Sequence, residues 1–255
     1  RNLTTNRLFY VCESWFKQVL DTIDSTNNYA MGQIHAGLAH HGSAWMAREQ
    51  FSGKGQRGKT WESEPGRNIA LSICLNPGAA YHPNPFLFSA RLAIICRDFV
   101  QTLVPDKVKI KWPNDIYIGD RKAGGLLVEN IYQGQSWKWS VAGIGLNINQ
   151  SDFGELSQKA VSIYQITKLE HDPVALAQNL HARLIEGFDP AEPVDPVQII
   201  QVYNHQLFRR SETIRLKVNE QLIEGKLTGV NLSGELMIND GTEKYFRFGE
   251  PEWLI

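Results

Sequence analysis

Gly53-Lys54-Gly55-Gln56-Arg57-Gly58-Lys59-Thr60 combines close backbone access with local positive charge, a pairing suited to holding an anion. Three glycines leave the backbone bare, and Lys54, Arg57 and Lys59 supply three cations with no carboxylate among them. The string satisfies two phosphate-loop patterns, G-x-x-x-x-G-K-T and G-x-G-x-x-G. Both work only if a helix follows at once, because its free amides hold the phosphate. Here Trp61-Glu62-Ser63-Glu64-Pro65-Gly66 is turn-forming, and Asn68 to Leu75 is a short apolar run of strand type. The loop therefore suits an anionic guest, with a mobile, solvated basic hairpin tip as the plainer alternative.

Four further segments could do chemistry: Asp24-Ser25-Thr26-Asn27, Lys111-Trp112-Pro113-Asn114-Asp115, Arg121-Lys122-Ala123-Gly124-Gly125, and Gly143 to Asn149. Each also has a structural reading. Ser25 and Thr26 suit a helix cap, Pro113-Asn114-Asp115 suits a turn, Gly124-Gly125 permits close packing, and Lys122 suits a solvated sheet edge.

Positioning these segments takes a mixture of elements. A short strand over Leu20 to Asp24 leads into a helix opened by Ser25 or Thr26 and running to about Gly37. Strands are expected near Ala44 to Glu49, Ile69 to Leu75, Val108 to Lys111, Asp115 to Ile118, Lys122 to Glu129 and Trp137 to Asn147, with a helix from about Phe86 to Leu103. Tyr117 to Lys122 reads as a hairpin around Gly119-Asp120, which makes part of the sheet antiparallel and argues against a doubly wound fold. Helices follow over Pro173 to Phe188, behind an Asp172 cap, and Pro196 to Leu207. From Glu212 onward, short alternating strands punctuated by glycine predict a small β-barrel, with the linker near Arg209 to Ser211. The expected division is 1–208 and 209–255.

Composition narrows the partners. The 255 residues carry 26 basic and 27 acidic side chains, so no global field favours nucleic acid or an acidic membrane. The C-terminal segment has Arg215, Lys217, Lys226, Lys244 and Arg247 against Glu212, Glu220, Glu224, Glu235, Asp240, Glu243, Glu250 and Glu252, a net −3 that disfavours a phosphate backbone. Cys12, Cys74 and Cys96 sit in apolar surroundings and read as reduced thiols. No apolar run nears the roughly 20 residues needed to span a bilayer, and no signal peptide is visible, so a cytoplasmic protein is expected. His35, His40 and His41 form no HExxH pattern, and metal chelation by histidine is set aside.

In this order and spacing, the five segments resemble the biotin protein ligase family, whose members attach biotin to a lysine of carboxylase carrier proteins. The basic loop is similar to that family's biotinyl-adenylate loop, Lys111 to Asp115 to its KWPND string, and Arg121 to Gly125 to the segment bearing its catalytic lysine. The resemblance implies an α/β (α+β) catalytic domain akin to class II aminoacyl-tRNA synthetases, with a mixed sheet and an SH3-like C-terminal domain. It implies catalytic roles for Lys122, Lys54 and Asp115. Biotin contacts follow for Ser25, Thr26, Asn27, Gln50, Gly53, Lys54, Gly55, Gln56, Lys122, Gly125 and Gly143. ATP contacts follow for Arg57, Lys59, Trp61, Lys111, Asn114 and Asn147. Magnesium accompanies ATP; its ligands stay unassigned, with Asp115 the candidate. The loop departs from the family in carrying Gln56 where a further arginine is common, and Gly53-Lys54 where Gly-Arg is common.

The expected acceptor is a biotin carboxyl carrier protein, with no nucleic-acid or membrane partner; pairing with a second copy through a sheet edge is left open. Three rivals are weighed, the plainest a nucleotide-binding module without catalysis, against which Lys122 and the intact motif set argue. A lipoate ligase would perform the same adenylation, but KWPND and the loop point away from it. A DNA-binding regulator would need a helix-turn-helix module, and 24 residues before Ser25 are too few for one.

Overall fold

The computed structural model describes residues 16–254. Cys12 lies outside them. Seven strands build the larger sheet: β1 (Phe16–Ile23), β2 (Ala44–Gln50), β3 (Ile69–Leu75), β4 (Val108–Lys111), β5 (Asp115–Ile118), β6 (Arg121–Gln133) and β7 (Ser136–Leu146), in the order β1-β2-β3-β7-β6-β5-β4. β1 and β2 run parallel and are joined through helix α1 (Thr26–His35); the other pairs are antiparallel. The mixed sheet expected from the short joins is thus present, and no helix follows the basic loop, only an irregular stretch and a turn at 65–67 that lead to β3.

β3 is buried along its whole length, packing against both α1 and helix α4 (Pro173–Gly187), which is why Ile69-Ala-Leu-Ser-Ile-Cys-Leu75 reads as a continuous apolar run rather than an alternating one. Helix α2 (Pro85–Gln101) starts behind Asn84, whose Oδ1 accepts from Phe86 N at 3.2 Å. The expected Asp172 cap on α4 is present, with Val174 N donating to Oδ1 at 2.9 Å. Helix α5 (Pro196–His205) is capped in the same way by Asp195.

Local structure departs from sequence expectation in four places, the first being β1, which starts at Phe16 rather than Leu20. Ser25 occupies the cap position of α1, but its side chain makes no capping bond. A one-turn helix α3 (Ile163–Thr167), too short to show periodicity, is set by a capping box between Ser162 and Gln165. β6 continues past Glu129 to Gln133, paired with β7 to the end.

The C-terminal strands β8 (Thr213–Val218), β9 (Gln221–Val230), β10 (Leu236–Asn239), β11 (Glu243–Phe246) and β12 (Glu252–Leu254) form an antiparallel sheet in the order β11-β10-β9-β8-β12. Its apolar side chains, Leu216, Leu227, Leu236 and Ile238 among them, join the same buried cluster as the larger sheet. Two polar ties fix the junction: Asn204 of α5 exchanges two hydrogen bonds with the Val230 backbone at 2.7 and 2.8 Å, and Trp112 Nε1 donates to Gly234 O at 3.0 Å. This sheet therefore sits against the segment that carries Lys111 to Asp115. Among the described residues no helix is long and apolar enough to cross a membrane.

Candidate functional site

A cleft of about 550 Å³ opens over β3, β7 and β6, with α1 at one end, the basic loop across it and the C-terminal sheet at the other end. Its two ends differ chemically.

The first end is neutral and buried. Thr26, at the first turn of α1, would leave its backbone N–H without a helical partner; Gln50 Oε1 accepts from it at 2.8 Å and from Thr26 Oγ1 at 3.1 Å. Ser72, the single polar residue of β3, stands 2.7 Å from Thr26 Oγ1 and 2.6 Å from Asn27 Oδ1. Asn27 Nδ2 donates to Glu129 Oε2 at 2.7 Å. Thr26 and Asn27 are at most 4% exposed, so their hydrogen bonds form in a low-dielectric pocket and hold the side chains in one arrangement. Gly143 makes room for it: a Cβ there would lie 2.4 Å from Asn27 Oδ1.

The second end is charged. The β5–β6 hairpin brings Lys122 Nζ to 2.8 Å from Asp115 Oδ1, both about one-third exposed to the cleft. A Cβ at Gly125 would come within 3.0 Å of that Nζ, so the glycine gives the lysine its path. Lys122 Nζ also lies 5.8 Å from the centre of the Trp61 ring. The Trp61 indole rests on Gly145, where a Cβ would be 2.4 Å from Cε2. Trp61 Nε1 is buried without a protein partner.

Lys111 lies deeper, 3.3 Å from the Tyr117 hydroxyl and over the rings of Tyr117 and Trp253. Burial lowers its pKa to about 8; Asp115 opposes the shift, while the nearby cations Lys122 and Lys59 add to it. Burial likewise pushes the Tyr117 hydroxyl up. Asn114 donates its amide to Leu126 O.

The basic loop folds as a narrow hairpin. Lys54 bridges Thr60, Gly55 N donates to Lys59 O at 2.7 Å, and the tip turns through Gln56–Gly58 with Arg57 at φ 54° and Gly58 at φ 74°. Gln56 reaches inward, its Nε2 3.4 Å from Leu126 O, and Lys54 Nζ stands 3.8 Å from Glu129 Oε1.

All the residues given catalytic, biotin or ATP roles from the sequence line this cleft except Gly53 and Asn147. Gly53 lies beneath the loop, where a Cβ would strike Trp61 O at 2.3 Å, so its role is to let the hairpin close on itself. Asn147 is 4% exposed and directs its amide to Val161 O at 3.1 Å and Lys122 O at 3.4 Å, which fastens the strand that carries Lys122. Among the described residues no group of three or more His, Cys, Asp or Glu side chains gathers as a metal site. Cys74 and Cys96 are free and buried, and burial raises the Cys74 thiol to about 12.

Sequence reasoning missed Ser72, Glu129 and the C-terminal wall of Phe248, Gly249, Pro251, Glu252 and Trp253. A lone hydroxyl in an otherwise apolar buried strand was the visible signal for Ser72. A carboxylate ending the apolar run Leu126-Leu127-Val128 was the signal for Glu129. Nothing local marked the C-terminal wall.

Residues 19–149 match the Biotin/lipoate A/B protein ligase family. The bifunctional ligase/repressor BirA of Salmonella typhimurium is 30% identical over 258 residues, covering 97% of this chain and 77% of its own. The biotin--[acetyl-CoA-carboxylase] ligase of Paracoccus denitrificans is 36% identical over 132 residues, 51% of this chain and 53% of that one. Among solved structures, a biotin protein ligase from Aquifex aeolicus in complex with biotin and ATP superposes with a TM-score of 0.78 at 24% identity, covering 94% of this chain and 99% of that one, so the fold is shared. The match across more than half of the chain, together with a relative aligned over nearly all of it, places this protein in the biotin/lipoate A/B protein ligase family.

Proposed function

We propose that this chain is an ATP-dependent biotin protein ligase. The observation that carries the reading is the continuity of one cleft whose neutral, hydrogen-bonding end adjoins a lysine–carboxylate pair and a cationic cover. Biotin has that division: a ureido ring with donors and acceptors, an apolar chain and a terminal carboxylate. The Ser25, Thr26, Asn27 and Gln50 end suits the ureido ring. Lipoate's dithiolane offers no N–H or C=O to such a pocket, and the polar side chains would be left partly unmatched.

The reaction runs in two steps. A carboxylate oxygen of biotin attacks the α-phosphorus of ATP, and pyrophosphate leaves. The amine of the carrier lysine, having given up its proton, then attacks the acyl carbon of biotinyl-AMP, and AMP departs with the electron pair of the broken C–O bond. Negative charge gathers on the α-phosphate in the first step and on the acyl oxygen in the second. Lys122, freed from Asp115 as the anions arrive, is the fixed cation for both. Lys54, Arg57 and Lys59 close over the phosphate as the hairpin shuts and exclude water that would hydrolyse the anhydride. Gln56 holds the adenylate by neutral hydrogen bonds.

Trp61 and the Lys111, Asn114 and C-terminal wall form the nucleotide end. Magnesium would accompany the ATP phosphates, with Asp115 the candidate carboxylate to help hold it. In this reading residues 1–208 bind and activate the substrates, and 209–255 close the nucleotide end. The acceptor is a biotin carboxyl carrier protein, and the setting is the cytoplasm, where ATP and carrier meet.

The test is direct: incubate the protein with MgATP, biotin and a biotin carrier domain, and detect biotinylated lysine, with lipoate as competing acid. Biotin labelling that disappears in Lys122→Ala supports the assignment. Labelling with lipoate alone, or labelling unchanged in the variant, overturns it.

A further inference from the structure

Glu129 of β6 makes contacts to both ends of the cleft. Its Oε2 accepts from Asn27 Nδ2 at 2.7 Å, while its Oε1 stands 3.8 Å from Lys54 Nζ. One carboxylate thus joins the wall of the neutral pocket to the first cation of the cover. The three residues come from α1, the basic hairpin and β6, so the connection exists only in the folded chain.

Two physical consequences follow. An ionised carboxylate accepts and cannot donate, so Asn27 must turn its nitrogen toward Glu129 and its oxygen toward Ser72, 2.6 Å away. The Ser72 hydroxyl holds the oxygen side and Glu129 the nitrogen side, so turning the amide over would break both bonds. The charge of Glu129 meanwhile draws Lys54 toward β6. Asp24 is a second carboxylate whose field Lys54 feels, but it is engaged with the Asn28 amide. The Lys54 and Glu129 side chains are 42% and 29% exposed, so water and salt weaken their attraction. A cover that must open to admit substrate and release product needs a tether of that modest strength.

We infer that Glu129 is a positioning residue with two separable duties: it sets the Asn27 amide for the neutral part of the ligand, and it tethers the cover through Lys54. The first duty rests on the biotin ligase reading; the second belongs to the protein alone.

Two variants separate them. Glu129→Gln keeps an acceptor for Asn27 and removes the charge, whereas Glu129→Ala removes both. Subtilisin cleavage within residues 54–60, measured without ligand, reads the tether. Calorimetric Kd values for biotin and for the uncharged biotin amide read the pocket. In low salt both variants should be cut about threefold faster than the parent, the gap closing in high salt as the ion pair is screened. Biotin amide should bind Glu129→Ala about tenfold more weakly and Glu129→Gln within about twofold of the parent. If Glu129→Ala does not fold, Glu129→Met, similar in volume and lacking an acceptor, takes its place. Equal cleavage of parent and variants would overturn the tether. Equal binding by all three proteins, or equal weakening in both variants, would overturn the orienting role. A parent that binds neither biotin nor its amide would sink the biotin reading itself, and the cleavage comparison would still decide the tether.

Discussion

The two ends of the cleft use opposite physics. At the α1 end, Thr26, Asn27, Gln50 and Ser72 are bonded to one another before any ligand enters. At the charged end, Lys54, Arg57 and Lys59 sit on an exposed hairpin and Lys122 is paired with Asp115. Neutral hydrogen bonds gain from burial and rigidity, because an unmatched donor in a dry pocket is what rejects the wrong ligand. Cations are strongly penalised by the same burial, and Lys54, Arg57 and Lys59 stay near water, while Lys111 is the buried exception whose pKa falls. Gly143 and Gly145 express the contrast two positions apart on β7: one lies under Asn27, the other under Trp61.

The sharpest way to break this contrast is to remove charge from one end alone. Lys122→Ala should lower the rate of pyrophosphate release by about a thousandfold, the usual scale for loss of a donor to developing negative charge, with the biotin Kd changing by less than about tenfold. An equal loss in both would mean that Lys122 serves binding rather than the chemical step. The complementary lesion is Gly143→Ala, whose new Cβ would lie 2.4 Å from Asn27 Oδ1. Overpacking of this kind costs about 2 kcal/mol, so biotin should bind roughly thirtyfold more weakly in calorimetry. ATP affinity should stay close to that of the parent; a parallel loss of ATP binding would show that the two ends are not independent.

How far these ends could be read beforehand depends on how local their signals are. Runs such as Lys111 to Asp115 and Gly53 to Thr60 hold their functional groups within a few residues, and the hairpin at Gly119-Asp120 announces its own geometry. Ser25 shows the limit of local rules: it has the residue type of a cap and the backbone of one, yet its side chain makes no capping bond. Partnerships such as Asn27 with Glu129, 102 positions apart, depend on sheet register and leave no mark in either neighbourhood. The C-terminal wall escaped for the same reason, since Trp253 reaches the cleft only because Asn204 and Trp112 dock that sheet in place.

The charged end should also show its own pH limit. Lys111 titrates near 8 because burial disfavours its cation. Free-enzyme kcat/KM for ATP should therefore fall as pH rises through about 8, reaching roughly a tenfold loss by pH 9 if the cation is required. Lys111→Met should start low and show no such fall. The stability effect has the opposite sense: with the folded value near 8 and the ordinary value 10.5, protonation favours the unfolded chain. Lys111 opposes folding fully below about pH 8, and that opposition fades as pH rises toward 10.5. A parent whose kcat/KM for ATP is level between pH 7 and 9 would remove Lys111 from the nucleotide end.

Gln56 tests whether the contrast holds within the hairpin itself. It is the one long uncharged side chain among Lys54, Arg57 and Lys59, and its amide points inward, 3.4 Å from Leu126 O, while Arg57 turns the tip at φ 54°. A neutral amide there extends the hydrogen-bonding logic of the buried pocket into the cationic cover. Arginine at this position would add a charged, bidentate grip; glutamine offers a single neutral one, worth about 1 kcal/mol. Gln56→Ala should thus release biotinyl-AMP about fivefold faster in a rapid-dilution assay, leaving the rate of pyrophosphate formation nearly unchanged. Gln56→Arg should slow release below that of the parent. If neither substitution alters release, the cover retains its intermediate by charge alone, and the neutral logic ends at Asn27.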